Sequence, residues 1–486
     1  MSIQVEGLEK LKQMKAERRI GVENEPSDKV ETHDEQRHQS SEPTISTGDN
    51  PSEQLPEIDA HYDCLKNSYW MKNSRGEWIP STEGQLRREL KRSGYRNKPN
   101  ADENVSPVDE KISEIHLDRD VRFAGEVAGH KVGLIENEDG RILVTKGPKI
   151  IEPVKGDWPT IKELLTSLLG EDQIDYFYGW LSSAYKALIT GEFTPGQALV
   201  IAGERANGKS FLQKYIITPM LGGRAGIAYR YLSGETQFNK DLIGAEHLVI
   251  ADEVPSTDIR SRKQLGAKIK DIVANEDTSY HPKCKDAIRV SPLWRLSITL
   301  NNEPENLLML PPLEESLEDK IMMLKSSMAT NLPDQHEREM FRHKIQSELP
   351  AFANFLFNEF EIPVAIRCSR YGIKHYHNPE LSAQLQSLAP EVKLDEIIVS
   401  VLFDTPCPEK FVGKASELEK RLRESGMYKE VEKLLSWHSA CGTYLGRLAN
   451  NKETGKRYFT ETVRDGHQIW RIEPRVIEEV SELPDF

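Results

Sequence analysis

Gly203, Gly208, Lys209 and Ser210 stand in the spacing G-x-x-x-x-G-K-S. Residues of these types, so spaced, hold phosphates. Glycines let a loop turn tightly enough for its backbone N–H groups to converge on phosphate oxygens. The N-terminus of a following helix adds the positive end of its dipole. Lys209 can then bridge the outer phosphates of a nucleoside triphosphate, and the Ser210 hydroxyl can ligate Mg²⁺. Glu204, Arg205, Ala206 and Asn207 complete the nucleotide-binding loop. Further on, the apolar run HLVIA at 247–251 ends in Asp252 and Glu253. Two carboxylates there suit two jobs: Asp252 in the metal shell, Glu253 polarising the attacking water. A third run, RLSITL at 295–300, ends in Asn301, whose amide can bond the γ-phosphate or orient that water. The chemistry these residues imply is hydrolysis of a nucleoside triphosphate, with Mg²⁺ as metal.

Such residues need strands to end beside one another. Apolar runs at 198–202, 247–251 and 295–300 alternate with helical patterns, which predicts an α/β core on a parallel sheet. Before it, Leu164, Leu165, Leu168, Phe177, Trp180, Leu181, Tyr185 and Leu188 recur at spacings of three and four, a helical layer. Helical layer and core together span 156–362. Residues 59–155 read as a small α+β domain. It holds a hairpin at Ser68–Ile79, a helix over Thr82–Ser93 with a basic face, and strand-like pieces at 121–123, 131–135, 141–145 and 149–151. Residues 1–58 are acidic and poor in large apolar groups, and are expected to be disordered. A linker at 363–390 contains His375 and His377, which lack the further ligands a metal site needs and read as a polar turn. Residues 391–476 show apolar helices followed by a hairpin, the order of a winged helix, with Tyr444 and Arg447 on the helix before the hairpin as DNA contacts. A short tail, 477–486, closes the chain.

The net charge of the 486 residues is −14, which at first disfavours nucleic acid. The balance is uneven. Eleven acids lie between Glu23 and Asp59, whereas Pro255–Arg295 holds nine basic residues against five acidic ones. Within that island, Thr278–Arg289 reads as a hairpin carrying Lys283, Lys285 and Arg289, with Tyr280 and His281 interleaved. Cations with rings between them suit a single nucleic-acid strand. The five cysteines are scattered, no apolar run approaches the roughly 20 residues of a membrane span, and the N-terminus lacks a signal-peptide core. A cytoplasmic location is expected.

GERANGKS, then VIADE, a basic stretch with Lys283, and ITLN with Pro304 after it together resemble the superfamily 3 helicases. These are AAA+ ATPases of viruses, phages and mobile elements, and the nearest likeness is to the helicase part of phage and poxvirus-type primase-helicases. NSYWMKNSRGEWI, VAGHKVG and GDWP extend the resemblance over about residues 60–475. It implies a P-loop AAA+ core and a homo-oligomeric, hexameric ring that threads one DNA strand past Lys283 and Lys285, with ATP between subunits. Gly203, Gly208, Lys209 and Ser210 match its first motif, Asp252 and Glu253 its second, and Asn301 its third. One departure is the missing arginine after Asn301. LPPLEESLEDKIMMLK holds no arginine and offers Lys320 as the cation facing a neighbour's phosphate, with Arg260 or Arg262 as substitutes. No carboxylate cluster for a primase precedes the core. The implied protein is a DNA helicase replicating a phage, satellite or mobile element, served by a separate primase or polymerase. The alternative is an origin-binding or regulatory AAA+ ATPase that binds DNA without unwinding it.

Overall fold

The computed structural model describes residues 56–99, 104–251, 259–281, 287–330, 332–333, 336–405, 408–450, 455–462 and 468–474. All belong to the unit Leu55–Phe486. The expected acidic tail at 1–58 and the short tail at 477–486 lie almost wholly outside the described residues.

The first layer is built from β1 (Ala60–Asp63), β2 (Ser68–Lys72) and β3 (Trp78–Ser81). The expected hairpin is β2 and β3, and β1 extends it. Next, α1 (Glu83–Arg92) starts at a capping box: the Thr82 hydroxyl accepts the Gln85 N–H, and the Gln85 side chain accepts the Thr82 N–H. Its basic face is partly spent, because Arg87 pairs with Glu83 at 2.9 Å and Asp109 at 2.6 Å. Capped by Ser106, α2 (Pro107–Asp118) leads to β4 (Asp120–Val121), which completes a sheet of order β3-β2-β1-β4. A second small sheet follows, from β5 (Phe123–Gly125), β6 (Gly133–Asn137) and β7 (Gly140–Val144), in order β5-β7-β6. The run 149–151 is not a strand, and the Lys149 N–H bonds Gly222 O at 2.9 Å instead.

The helical layer is α3 (Pro159–Leu169) and α4 (Glu171–Thr190). Phe177, Trp180 and Tyr185 are among the largest fully buried side chains, so these aromatics build core.

The central sheet contains β8 (Ala198–Gly203), then, after helix α5 (Lys209–Leu212), β9 (Ala225–Ile227) and β10 (His247–Ala251). Helix α6 (Ile259–Ala274) and a hairpin of β11 (Thr278–Tyr280) and β12 (Ile288–Val290) lead to β13 (Arg295–Asn301) and β14 (Ile321–Ser326). The strands are parallel, in order β14-β8-β13-β10-β9. Covered on both faces, β8 is buried along its whole length, which is why ALVIAG is apolar without alternation. Helix α7 (Arg338–Asn354) follows β14. After the short pair β15 (Arg367–Cys368) and β16 (Gly372–Ile373), the histidine segment does not form a loose turn. It lies along the edge of the sheet: the Met323 N–H donates to Tyr376 O at 2.7 Å and the Asn378 N–H to Met323 O at 2.9 Å. That pairing covers an otherwise open edge. Among the described residues no group of three or more His, Cys, Asp or Glu side chains could hold a metal ion, and no helix is long and apolar enough to cross a membrane.

The expected linker contains a helix, α8 (Pro379–Ser387). Beyond it come α9 (Pro390–Ile398), β17 (Phe411–Gly413), α10 (Ala415–Arg423), α11 (Tyr428–Leu434), α12 (Ala440–Asn450), β18 (Tyr458–Thr462) and β19 (Gln468–Ile472). Their sheet has the order β17-β19-β18. They share a core of their own, in which Leu418, Leu422, Leu445 and Trp470 meet.

Candidate nucleotide site and nucleic-acid elements

At the carboxyl ends of the central strands, register brings the chemistry together. Gly203, the last residue of β8, lies beside Asn301 on β13 and Ser326 on β14. The end of β10 follows on the far side of β13, with Ala251 opposite Thr299. Asp252 and Glu253 come directly after it, outside the described residues. In an open parallel sheet, the crevice beyond the strand ends is where ligands bind.

The loop is held from below. A Cβ on Gly203 would lie 2.2 Å from Ser326 O, so no larger residue fits where β8 and β14 meet. Gly208 has φ +111°, a conformation L side chains rarely adopt. Between them Asn207, fully buried, donates its amide to Ser326 Oγ at 2.8 Å and Ser326 O at 3.2 Å. Its Oδ1 accepts the Lys209 ammonium at 3.1 Å. The same ammonium donates to Gly203 O at 2.9 Å and Glu204 O at 2.6 Å, and lies 3.5 Å from Asn301 Oδ1. Lys209 and Asn301, ninety-two positions apart, therefore share one point.

A cavity of about 640 Å³ opens over this point. Lys209, Ser210 and Asn301 line its floor. One wall is aromatic: the rings of Phe211 and Tyr215 lie 4.7 Å apart. The other wall is cationic, formed by Arg338 and Arg342 on the first turns of α7. The Arg342 guanidinium sits 4.8 Å from the centre of the Tyr215 ring. Loop N–H groups, a lysine and two arginines beside a pair of tilted rings are groups that can hold a phosphorylated ligand with an aromatic base. The hard oxygen of Ser210 suits a Mg²⁺ ion that retains waters.

Sequence reading missed Arg338 and Arg342. The available signal was R-x-x-x-R at 338–342, a spacing that puts both side chains on one face of a helix.

The other expected site residues divide into three groups. Lys283 and Lys285 fall in sequence between β11 and β12, outside the described residues; the two strands pair Thr278 with Val290 and Tyr280 with Ile288. Some residues are not brought to their expected places. Lys320 sits before the first residue of β14, at the end of the sheet opposite the loop. It is bonded to Asp319 Oδ1 at 2.7 Å and Ser316 O at 2.9 Å. A cation so committed is a poor mobile finger, and Lys320→Ala is expected to change ATP turnover by no more than about twofold in a steady-state assay. Arg262 donates to Leu310 O at 3.0 Å and is also spent internally. Arg289 bonds Glu138 at 2.8 Å, and its N–H bonds Asp139 at 3.0 Å. These bonds brace the hairpin against the β6–β7 turn, while the Arg289 side chain stays about half exposed, at 48%. Tyr280 is buried against Phe123, ring centres 4.8 Å apart, so its ring is not offered to a base. Tyr444 is only 2% exposed, because α12 turns it into the core below Trp437, so it cannot meet a base. Arg447 does face outward, with Glu391 3.4 Å away.

Residues 201–314 match a family described as a family of unknown function (DUF5906). No curated protein matches the sequence. Among solved structures the chain is similar to the apo C-terminal region of NrS-1, with a TM-score of 0.51 and 16% identity over 85% of this chain and 95% of that one. The A form of the same region gives a TM-score of 0.51 and 15% identity over 86% and 97%. SCCmec type IV Cch, described as an active helicase, gives a TM-score of 0.27 and 10% identity over 81% and 73%. The likeness to the NrS-1 region is one of fold, and it runs through most of the chain.

Proposed function

We propose that this chain is an ATP- and Mg²⁺-dependent DNA helicase of the superfamily 3, AAA+ type, working as a hexameric ring in the replication of a phage, satellite or mobile element in the host cytoplasm. The observation that carries the reading is the convergence of Lys209 and Asn301 under a cationic cavity at the ends of adjacent parallel strands. β13 lies between the loop strand and the strand that leads to Asp252 and Glu253. Asn301 thus ends the strand between β8 and β10, beside the phosphate loop, where it can hold a water or a γ-phosphate oxygen. Lys209 offsets the charge that develops on the transferred phosphoryl group, and Glu253 takes a proton from the attacking water. Ser210 and Asp252 would hold a Mg²⁺ ion, which would supply charge neutralisation for the phosphates. A separate primase or polymerase partner belongs to the proposal.

The DNA element is the β11–β12 hairpin. Its base is fixed by the small sheet: the Asn137 amide donates to Arg289 O at 3.0 Å, and the Leu293 N–H to Ala128 O at 2.9 Å. A braced base lets a short tip carry force to a strand. Changing Lys283 and Lys285 together to Ala is expected to remove stimulation of ATP turnover by single-stranded DNA while sparing the basal rate. Each lysine–phosphate pairing removed should flatten the log–log salt dependence of binding by about 0.7, hence about 1.4 for the pair. Fluorescence anisotropy over a salt series measures it.

Strand displacement on forked DNA with ATP, both polarities offered, tests the function. A protein that hydrolyses ATP but unwinds neither fork is not a helicase. One observation favours the second reading, an origin-binding or regulatory ATPase. The C-terminal order β17, α10, α11, α12, β18, β19 is compatible with a winged helix, and Thr443, Arg447 and Asn450 are exposed on α12. Stimulation by one duplex sequence, and not by single strands of any sequence, would select that reading.

A further inference from the structure

The helix after the phosphate loop does not wind uniformly. After α5 the chain makes one π turn, Gln213–Ile217, in which the Thr218 N–H reaches Gln213 O. Such single π turns inside helices are frequent at functional sites. This one carries the Gln213 side chain, 3% exposed, inward beneath the loop.

A closed chain of hydrogen bonds starts there. Gln213 Nε2 donates to Ser297 Oγ at 2.8 Å. Ser297 Oγ is 2.6 Å from His247 Nε2, and His247 Nδ1 is 2.7 Å from Thr218 Oγ1. Thr218 Oγ1 donates to Gln213 O at 2.9 Å, which returns the chain to its origin. One set of proton positions satisfies every contact. The single hydroxyl proton of Thr218 goes to Gln213 O, so His247 carries its proton on Nδ1 and accepts the Ser297 hydroxyl at Nε2. His247 is fully buried, and desolvation holds its pKa down at about 3, so the ring remains neutral. Ser297 is also fully buried.

What the ring joins gives it meaning. Gln213 and Thr218 belong to the helix that carries Lys209 and Ser210. His247 is the first residue of β10, the strand that leads to Asp252 and Glu253. Ser297 lies on β13, four residues before Asn301. Gln213 Oε1 also lies 3.5 Å from Thr299 Oγ1 on the same strand. None of the four ring members lines the cavity. We propose that Gln213, Ser297, His247 and Thr218 form a register lock: positioning residues that fix the loop helix axially against the two strands bearing the other catalytic groups. The inference rests on the reading of the chain as an ATPase. Its physical basis is twofold. A buried polar ring tolerates no partial opening, because each orphaned group bears its full desolvation cost. Reacting groups misplaced by about 1 Å lose roughly a hundredfold in rate.

The test uses the full chain and changes as little volume as possible. Thr218→Val removes one hydroxyl from the ring and Thr218→Ser keeps it, while Gln213→Leu removes the amide. Thr218→Val and Gln213→Leu are each expected to lower kcat about tenfold or more. KM for ATP, and the affinity for a fluorescent ATP analogue measured without turnover, should stay within about twofold. Thr218→Ser should hold kcat within about twofold of the parent. The double variant should be no slower than the slower single, because a ring opens only once. Unchanged kcat in folded Thr218→Val overturns the proposal, as does equal loss in Thr218→Ser and Thr218→Val. Independent, multiplying losses in the double variant overturn it too. If Gln213→Leu fails to fold, the Thr218 pair still decides. A parent protein that binds the ATP analogue but does not hydrolyse ATP refutes the ATPase reading itself, and the lock with it. That result is distinguishable from a parent that turns over ATP beside unaffected variants.

Discussion

Lys209→Ala is expected to lower ATP turnover about 10²–10³-fold, the effect of removing one preorganised group aimed at developing charge. The ammonium is only 4% exposed and is held at the ends of two strands by Gly203 O, Glu204 O, Asn207 Oδ1 and Asn301 Oδ1. A triphosphate seated on the loop would offer the ammonium charged oxygens, which bind it more strongly than neutral carbonyl oxygens do. Because the site is already shaped around the ammonium, little reorganisation is needed during the reaction, and the loss should appear in kcat. Single-turnover hydrolysis with the variant saturated by ATP isolates that step. Thermal unfolding should change little, since the loop keeps the Asn207–Ser326 bonds that hold it to β14. Turnover within threefold of the parent would remove Lys209 from the chemistry.

The loop was legible in the sequence because everything that makes it work lies within eight residues, and one glycine with no room for a Cβ, Gly203, and one at a φ other residues avoid, Gly208, leave a fixed spacing behind. The strands β8, β10 and β13 were legible for a different reason. Strands covered on both faces are apolar throughout, and ALVIAG, HLVIA and RLSITL have few alternatives. β14 was read only as the stretch expected to supply a finger, since four apolar residues, IMML, are too short to distinguish a strand from a helical turn. Lys320, read as facing a neighbour's phosphate, belongs to the same stretch and is bonded within its own chain to Asp319 and Ser316. A lysine beside a strand says nothing about which end of the strand it occupies, and parallel pairing with β8 puts it at the end away from the loop. Tyr444 illustrates the limit of helical periodicity. Tyr444 and Arg447 are three apart and look like one face, yet the phase of α12 puts the ring inside and the guanidinium outside. Arg289 looked like part of a basic surface because its partners, Glu138 and Asp139, precede it by about 150 positions.

Arg338 and Arg342 were hidden for the same reason, and the last prediction concerns them. Changing both to Ala is expected to weaken ATP binding about a hundredfold. They stand one turn apart on α7 and line the cavity above Lys209, where the outer phosphates would lie. Both are exposed, so solvent screens them. Each bond to a phosphate is credited with about 1.4 kcal/mol, tenfold in affinity, at the low end for charged partners. Their chemistry separates them from the aromatic wall. If they meet phosphates, the loss should be large for ATP, smaller for ADP and nearly absent for adenosine, and it should shrink as salt rises. If Arg342 serves only to pack on Tyr215, adenosine and ATP should suffer alike, and Arg342→Met, which keeps the apolar contact, should restore both. Calorimetric titration of the three ligands into the double variant distinguishes the two. A loss confined to ATP would also bear on the missing arginine after Asn301: it would put arginine side chains on the phosphates from within the same chain, from the helix behind β14.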